Sequence, residues 1–273
     1  MSSESYIRAP NRPLQLYAVI FLILLYVPVL FLPLFSFNDS IYVKFPLRGF
    51  TLQWYAELFQ REAVWNALWN SIRVGLVVSV LSTTLGIFAA KAITRYRMPG
   101  KGPMVSFIML PLVVPLIIFG VALLVLLSQL GIPLSLYTVG IGHMIVCLPF
   151  SIAVLIPRFE GFDASIEEAS ADLGENALWT FWRVTLPMVG PGVLASLMLT
   201  FTVSFDEFIL AFFLSGTQPT LPMYIWGQLR FPQEFPSILA LSSIIIFVSF
   251  VMVFLGQWIN RSALSNSTTG GSQ

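Results

Sequence analysis

The chain has 273 residues, of which 57% are apolar and only 10% charged, and its formal net charge is +1. Soluble domains carry about 25% charged residues, so this composition, with a mean hydropathy of +0.85, excludes an ordinary soluble globule and defines an integral membrane protein. The near-neutral balance contains no basic cluster that would suit nucleic acid. A single cysteine and a single histidine leave no disulfide, thiolate metal site or histidine-based zinc centre.

Six stretches of mainly apolar residues, each long enough to cross a bilayer, stand near 15–35, 71–93, 104–128, 136–157, 191–214 and 238–258. None alternates with the period of two that a transmembrane barrel strand needs. The expected fold is all-α with six transmembrane helices: an N-terminal segment over 1–14, a membrane domain over 15–260 and a disordered tail over 261–273. The first stretch is too long for a cleaved signal peptide and has no small-residue cleavage site, so it reads as an uncleaved anchor. An N-in/C-in orientation puts nine basic residues inside (Arg8, Arg12, Lys91, Arg95, Arg97, Lys101, Arg158, Arg183, Arg261) and five outside (Lys44, Arg48, Arg61, Arg73, Arg230). That asymmetry favours it.

The segment 36–70 is external in this orientation, and 52–70 is expected as an interfacial helix anchored by Trp54, Trp65 and Trp69. On the second stretch Gly75, Ser79, Ser82, Thr83 and Gly86 recur every few positions, which suits close helix packing. Pro111 and Pro115 in the third stretch and Pro149 in the fourth free backbone carbonyls and kink helices. His143, among apolar residues of the fourth, reads as a hydrogen-bonded packing residue.

Residues 163–187 form a long acidic insertion, cytoplasmic in this orientation, and between 158 and 190 six acids face two bases, Arg158 and Arg183. Ser165 is expected to cap a first short helix, with Glu168 completing a capping box. Ile166, Ala169, Ser170 and Leu173 then share a small, mostly apolar face. Gly174 stops that helix in the left-handed conformation, and Asn176 caps a second, with Leu178, Phe181, Trp182 and Thr185 on one side. Glu168 and Asp172 repel each other one turn apart. Such a charge distribution suits a hairpin docked against a basic partner.

The fifth stretch is interrupted by Ser204-Phe205-Asp206-Glu207. Acids within a span are costly and face a cavity or a partner. Two readings stand: one of Asp206 and Glu207 faces a path for a cationic solute, or the pair is satisfied by a neighbouring subunit. The aromatic pairs Trp54/Tyr55 and Tyr224/Trp226 either stack on a ligand or anchor the chain at the membrane surface. There is no catalytic constellation and no G-x-x-x-x-G-K-[ST] loop to cradle ATP, so energy must come from a gradient or from a partner.

The hairpin resembles the EAA-x3-G-x9-I-x-LP loop of binding-protein-dependent ABC importer permeases. Here the pattern reads Glu168-Ala169-Ser170, three residues, Gly174, nine residues, Val184, one residue, Leu186-Pro187. The spacing matches throughout, and Ser170 and Val184 keep size and helix geometry. Finer pieces over most of 70–258, among them RYRMPGK after the second stretch, RFEGFDASIEEASADLG and SFDEFILAFFLSG followed by TLPMYIWGQLR, resemble the second permease of spermidine/putrescine-type systems. The resemblance implies a type I ABC importer permease fold in a bacterial inner membrane. The partners it implies are a second permease, two ATP-binding subunits, a periplasmic binding protein and membrane lipid, with no nucleic acid. Coupling to the ATPase would rest on Glu167, Glu168, Ala169, Ser170, Asp172, Leu173, Gly174, Leu186 and Pro187, and the solute path on Asp206, Glu207, Ser204, Tyr224 and Trp226. Residues near 215–237 and 40–66 would meet the binding protein. The chain itself would bind no cofactor and perform no catalysis, since ATP and Mg belong to the partner ATPases. The implied cargo is a polyamine or related cation; thiamine, opine and ferric iron importers share similar permeases. The rival reading is a gradient-driven carrier with Asp206 or Glu207 as a proton site.

Overall fold

The computed structural model describes residues 12–269, and the chain divides into two compact units, 12–61 with 228–269, and 62–227. Residues 1–11 of the expected N-terminal segment and 270–273 of the expected tail lie outside the described residues.

The first unit contains α1 (Arg12–Ser36), α2 (Gln53–Gln60) and α12 (Phe235–Thr269), which packs on both α1 and α2. The aromatic segment between α1 and α2 is a folded loop. Asn38 organises it: its side-chain oxygen accepts from Arg48 N (3.0 Å) and its carbonyl accepts from Trp54 Nε1 (2.9 Å). Trp54 is therefore buried, where an interfacial anchor was expected. The expected helix over 52–70 is split at Arg61, and Trp65 and Trp69 open the next helix instead. Helical backbone in α12 runs to Thr269, past the disordered tail expected from 261. No glycine or proline stands between Trp258 and Thr269 to stop a helix already propagating.

The second unit is built on α3 (Glu62–Arg95), α4 (Lys101–Met109), α5 (Leu116–Gln129), α6 (Leu136–Glu160), α7 (Ala164–Asp172), α8 (Ala177–Thr180), α9 (Leu186–Asp206), α10 (Ile209–Leu214) and α11 (Leu221–Gln228). Its centre is the packing of α3 on α6 and α9, and the small residues singled out on α3 make it possible. Gly86 faces Ser151 so closely that a Cβ would strike the hydroxyl, and a Cβ on Gly75 would sit tightly against the Phe201 ring. The three helices are laced together by hydroxyls, Thr83 to Ser196 at 3.0 Å and Ser196 to Ser151 at 2.8 Å. Interhelical polar bonds of this kind hold helices where surrounding lipid supplies no hydrophobic drive. Around them lie two apolar clusters, one including Val78, Val139, Leu210 and Leu214, the other Ala90, Leu155, Phe159 and Val189.

Among the described residues, five helical segments are long and apolar enough to cross a membrane: Arg12–Ser36, Glu62–Arg95, Leu136–Glu160, Ala177–Asp206 and Pro232–Val251. The third expected stretch is a bent pair, Lys101–Leu112 and Leu116–Gln129, which meet at 96°. Pro111 and Pro115 flank the break, and each lacks the N–H that would continue the ladder. Pro149, by contrast, is accommodated within a continuous α6.

Candidate coupling hairpin and solute cavity

The hairpin is helix–glycine–helix, as its sequence implies, but it starts differently. Asp163, not Ser165, caps α7 by accepting from Ser165 N at 3.0 Å. A carboxylate two residues ahead reaches the same orphan N–H groups and also meets the positive end of the helix dipole. The far end is a Schellman motif: Gly174 N bonds to Ala171 O (2.9 Å) and Glu175 N to Ser170 O (3.2 Å), with Gly174 at φ +92°. Asn176 then caps α8 through Trp179 N at 3.0 Å. The π-helical turn Phe181–Thr185 carries the chain into α9, and Ser170 Oγ meets Thr180 Oγ1 at 3.0 Å, closing the hairpin on itself.

Glu168, Ala169, Asp172 and Pro187 are exposed. Leu173 is 88% and Leu178 65% exposed, with Trp182 beside them in the same state. Apolar groups presented so fully beside acids form a surface prepared for a partner. Two residues expected in the coupling set face the other way. Leu186 packs against the cluster of Leu155, Phe159 and Val189. Glu167 turns inward, where Lys91 Nζ lies 2.9 Å and Arg95 Nε 3.7 Å away and the Thr185 hydroxyl donates to it. Burial alone would raise the Glu167 carboxyl, but the hydrogen bonds from Thr185 and Lys91 and the charges of Lys91 and Arg95 outweigh it and hold it below the usual carboxylate range.

Asp206 and Glu207 are separated by a break in the fifth span. α9 ends at Asp206, and Glu207 takes an extended backbone (φ −70°, ψ 118°) before α10 begins. The reason is on the Glu207 side chain. Its carboxylate accepts from Ile209 N (3.0 Å), Leu210 N (2.8 Å) and Ala211 N (3.3 Å), supplying acceptors for the first turn of α10. His143 Nε2 stands 3.4 Å from the same carboxylate, and His143 Nδ1 is 2.9 Å from Ser204 Oγ. Ser204, expected on the solute path, is buried with His143 as its partner behind the break. His143 has the packing role expected of it.

Asp206 is exposed and has no ion-pair partner among the described residues. It lines an open cavity of about 540 Å³ together with Leu112 and Val114 from the break in the third span, Phe150 of α6, Thr202 of α9 and Phe208. Trp226 packs on Phe208 with ring centroids 5.4 Å apart, so it borders the cavity at one remove. Tyr224 is half-buried and not among the lining residues. Phe150 and Phe208 were not singled out from sequence. The signal available for Phe208 was its place directly after the acids, and for Phe150 its place beside Pro149.

Irregular backbone is tolerated at membrane depth only where protein or a water-filled cavity covers it, and both broken spans border this cavity. The chain belongs to the family of binding-protein-dependent transport system inner membrane components, which it matches over residues 82–264; it is a multi-pass inner-membrane permease subunit of an ABC importer. It is 31% identical over 247 residues to the spermidine/putrescine transport system permease protein PotC of Escherichia coli K12, covering 89% of this chain and 92% of that one. To the putrescine transport system permease protein PotI of the same strain it is 32% identical, covering 88% and 87%. A probable molybdenum ABC transporter permease of Haloferax volcanii is 32% identical over a shorter region, 60% of this chain. Among solved structures, a bacterial ABC transporter involved in the import of the acidic polysaccharide alginate superimposes with a TM-score of 0.71, 18% identity and coverage of 92% and 98%. That likeness establishes the fold. Membership sets aside the gradient-driven carrier as the reading of this chain.

Proposed function

We propose that this subunit forms, with a second permease, the path for a polyamine or related small cation handed over by a periplasmic binding protein. The observation that carries the reading is Asp206, a carboxylate with no ion-pair partner among the described residues, in an apolar cavity with phenylalanine rings on its wall. In a partly dehydrated site its attraction for an ammonium reaches a few kcal/mol. Phe150 and Phe208 offer faces to methylenes and to a second cationic end. The names of PotC and PotI support the same solute class. Two partner subunits bind ATP and Mg and hydrolyse the nucleotide; this chain binds no cofactor. Their closure displaces the hairpin on the cytoplasmic side, and the bundle switches between packings that open the cavity to one side or the other.

The test is uptake by the assembled four-subunit complex and its binding protein in proteoliposomes. Labelled putrescine or spermidine accumulates with ATP, and neither thiamine nor an opine competes. Transport of an anionic or neutral solute in preference to these would overturn the solute class while leaving the permease role intact.

Docking of the hairpin gives a second expectation. Glu168 is exposed and carries the negative charge that a basic cleft on the ATPase would read. Glu168→Lys should weaken association with the ATPase by about tenfold or more, since charge reversal puts like charges together at the interface, and Glu168→Gln should be milder. Copurification of the ATPase with the tagged permease reads this directly. Wild-type recovery of the ATPase with the lysine variant would mean that the acid is merely solvated.

A further inference from the structure

The carboxylate of Glu167 points away from the exposed acids of the hairpin and ties it by charge to two other parts of the fold. Its backbone is in α7. Through Lys91 and Arg95 it is tied to the last turns of α3, and through the Thr185 hydroxyl to the residue that precedes α9. Arg95 reinforces the joint by donating from Nη2 to Phe162 O at 2.6 Å and by lying over the Phe162 ring, 5.2 Å from its centroid. The covalent connections of the hairpin are pliant by comparison. On one side α6 gives way to Gly161 and a short loop; on the other the chain passes through the π-helical turn, a place where helices kink. The Ser170–Thr180 bond meanwhile makes the hairpin one piece. α3 is the helix on which α6 and α9 pack, and α9 ends at Asp206.

We infer that Glu167 is the joint through which displacement of the hairpin reaches α3 and α9, a positioning role separate from the docking of Glu168. The inference rests on the coupling reading above. A carboxylate held by two cations and a hydroxyl, mostly buried, resists both sliding and rotation, whereas the glycine loop and the π turn absorb movement. Without the joint, the ATPase still docks and still cycles, but part of its stroke is lost in those hinges.

The experiment compares Glu167→Ala, Glu167→Gln and the swap Glu167→Lys with Lys91→Glu in the full complex with its binding protein. The readout is solute moved per ATP hydrolysed. For Glu167→Ala the ratio should fall about tenfold, a typical size for the loss of one coupling interaction, while ATPase copurification and its stimulation by the loaded binding protein stay near wild type. Glu167→Gln, which keeps bonds to Lys91 and Thr185, should fall less, and the swap should recover part of the ratio lost by either single change. An unchanged ratio in Glu167→Ala overturns the joint. Loss of assembly and ATPase stimulation together in both Glu167→Ala and Glu167→Gln also overturns it, because it assigns the residue to docking or folding. Gly174→Val run in parallel separates the two levels: if that variant uncouples and Glu167→Ala does not, only the joint fails, and if neither uncouples, the coupling reading itself fails.

Discussion

Gly174→Val is expected to lower transport per ATP by at least tenfold while leaving the membrane bundle folded. Backbone conformation alone produces this effect. Gly174 sits at φ +92°, and a Cβ built there meets nothing within 4 Å, so no clash with a neighbour contributes. A β-branched residue in the left-handed region costs about 1–2 kcal/mol or more, and the chain avoids that by leaving the region. Doing so breaks the bonds from Gly174 N to Ala171 O and from Glu175 N to Ser170 O and re-aims α8 against α7. The exposed Leu173 and Leu178 then no longer form one surface. Gly174→Asn supplies the control, because asparagine enters this conformation more readily than other side chains; it should couple nearly as well as wild type. Proteoliposome uptake measured beside ATP hydrolysis checks both variants, and equal loss in valine and asparagine variants would mean that conformation is not the cause.

Glu207→Ala is expected to destabilise the protein by about 2–4 kcal/mol, the range for leaving several backbone donors without their charged acceptor. Three N–H groups of α10 lose their cap, and His143 loses the carboxylate beside its Nε2. Since α10 packs on α5 and α6, the damage spreads to the core cluster containing Leu210 and Leu214. Thermal unfolding in detergent, with the yield of assembled complex, measures this. Wild-type stability in Glu207→Ala would mean that water caps α10 as well as the carboxylate does.

The hairpin was the most legible part of the chain because its information is local: fixed spacing, a glycine where φ is positive, and an asparagine that caps. Which acid faces inward was not legible. Glu167 and Glu168 are neighbours about 100° apart on a helix, and the phase of α7 is set by Lys91 and Arg95, some 70–80 residues earlier in sequence. The polar patch of the fifth span marks an interruption, but sequence alone does not say which of its two acids is buried. In the structure Glu207 ends α9 by capping the next helix, which gives the two carboxylates opposite fates, one buried and bonded, one open to the cavity. An acid followed at once by an apolar run is a cap signal, but inside a membrane span hydropathy masks it. The same limit applies to Trp54. Its aromatic character fits an interface, and only the distant carbonyl of Asn38 makes it a buried donor. Pro111 and Pro115 announced a kink; its size, 96°, is not written in the local sequence.

The cationic path through Asp206 is tested most directly by comparing Asp206→Asn with Glu207→Gln for labelled putrescine uptake, assembled complex and basal ATPase activity. Asparagine keeps the size of the side chain and removes the charge from the cavity wall, so uptake should fall at least about tenfold, the equivalent of 1.4 kcal/mol from an attraction of a few kcal/mol, with assembly and ATPase activity unchanged. Glu207→Gln should instead lower the yield and thermal stability of the complex. Wild-type uptake by Asp206→Asn, or loss of assembly in that variant, would contradict the account.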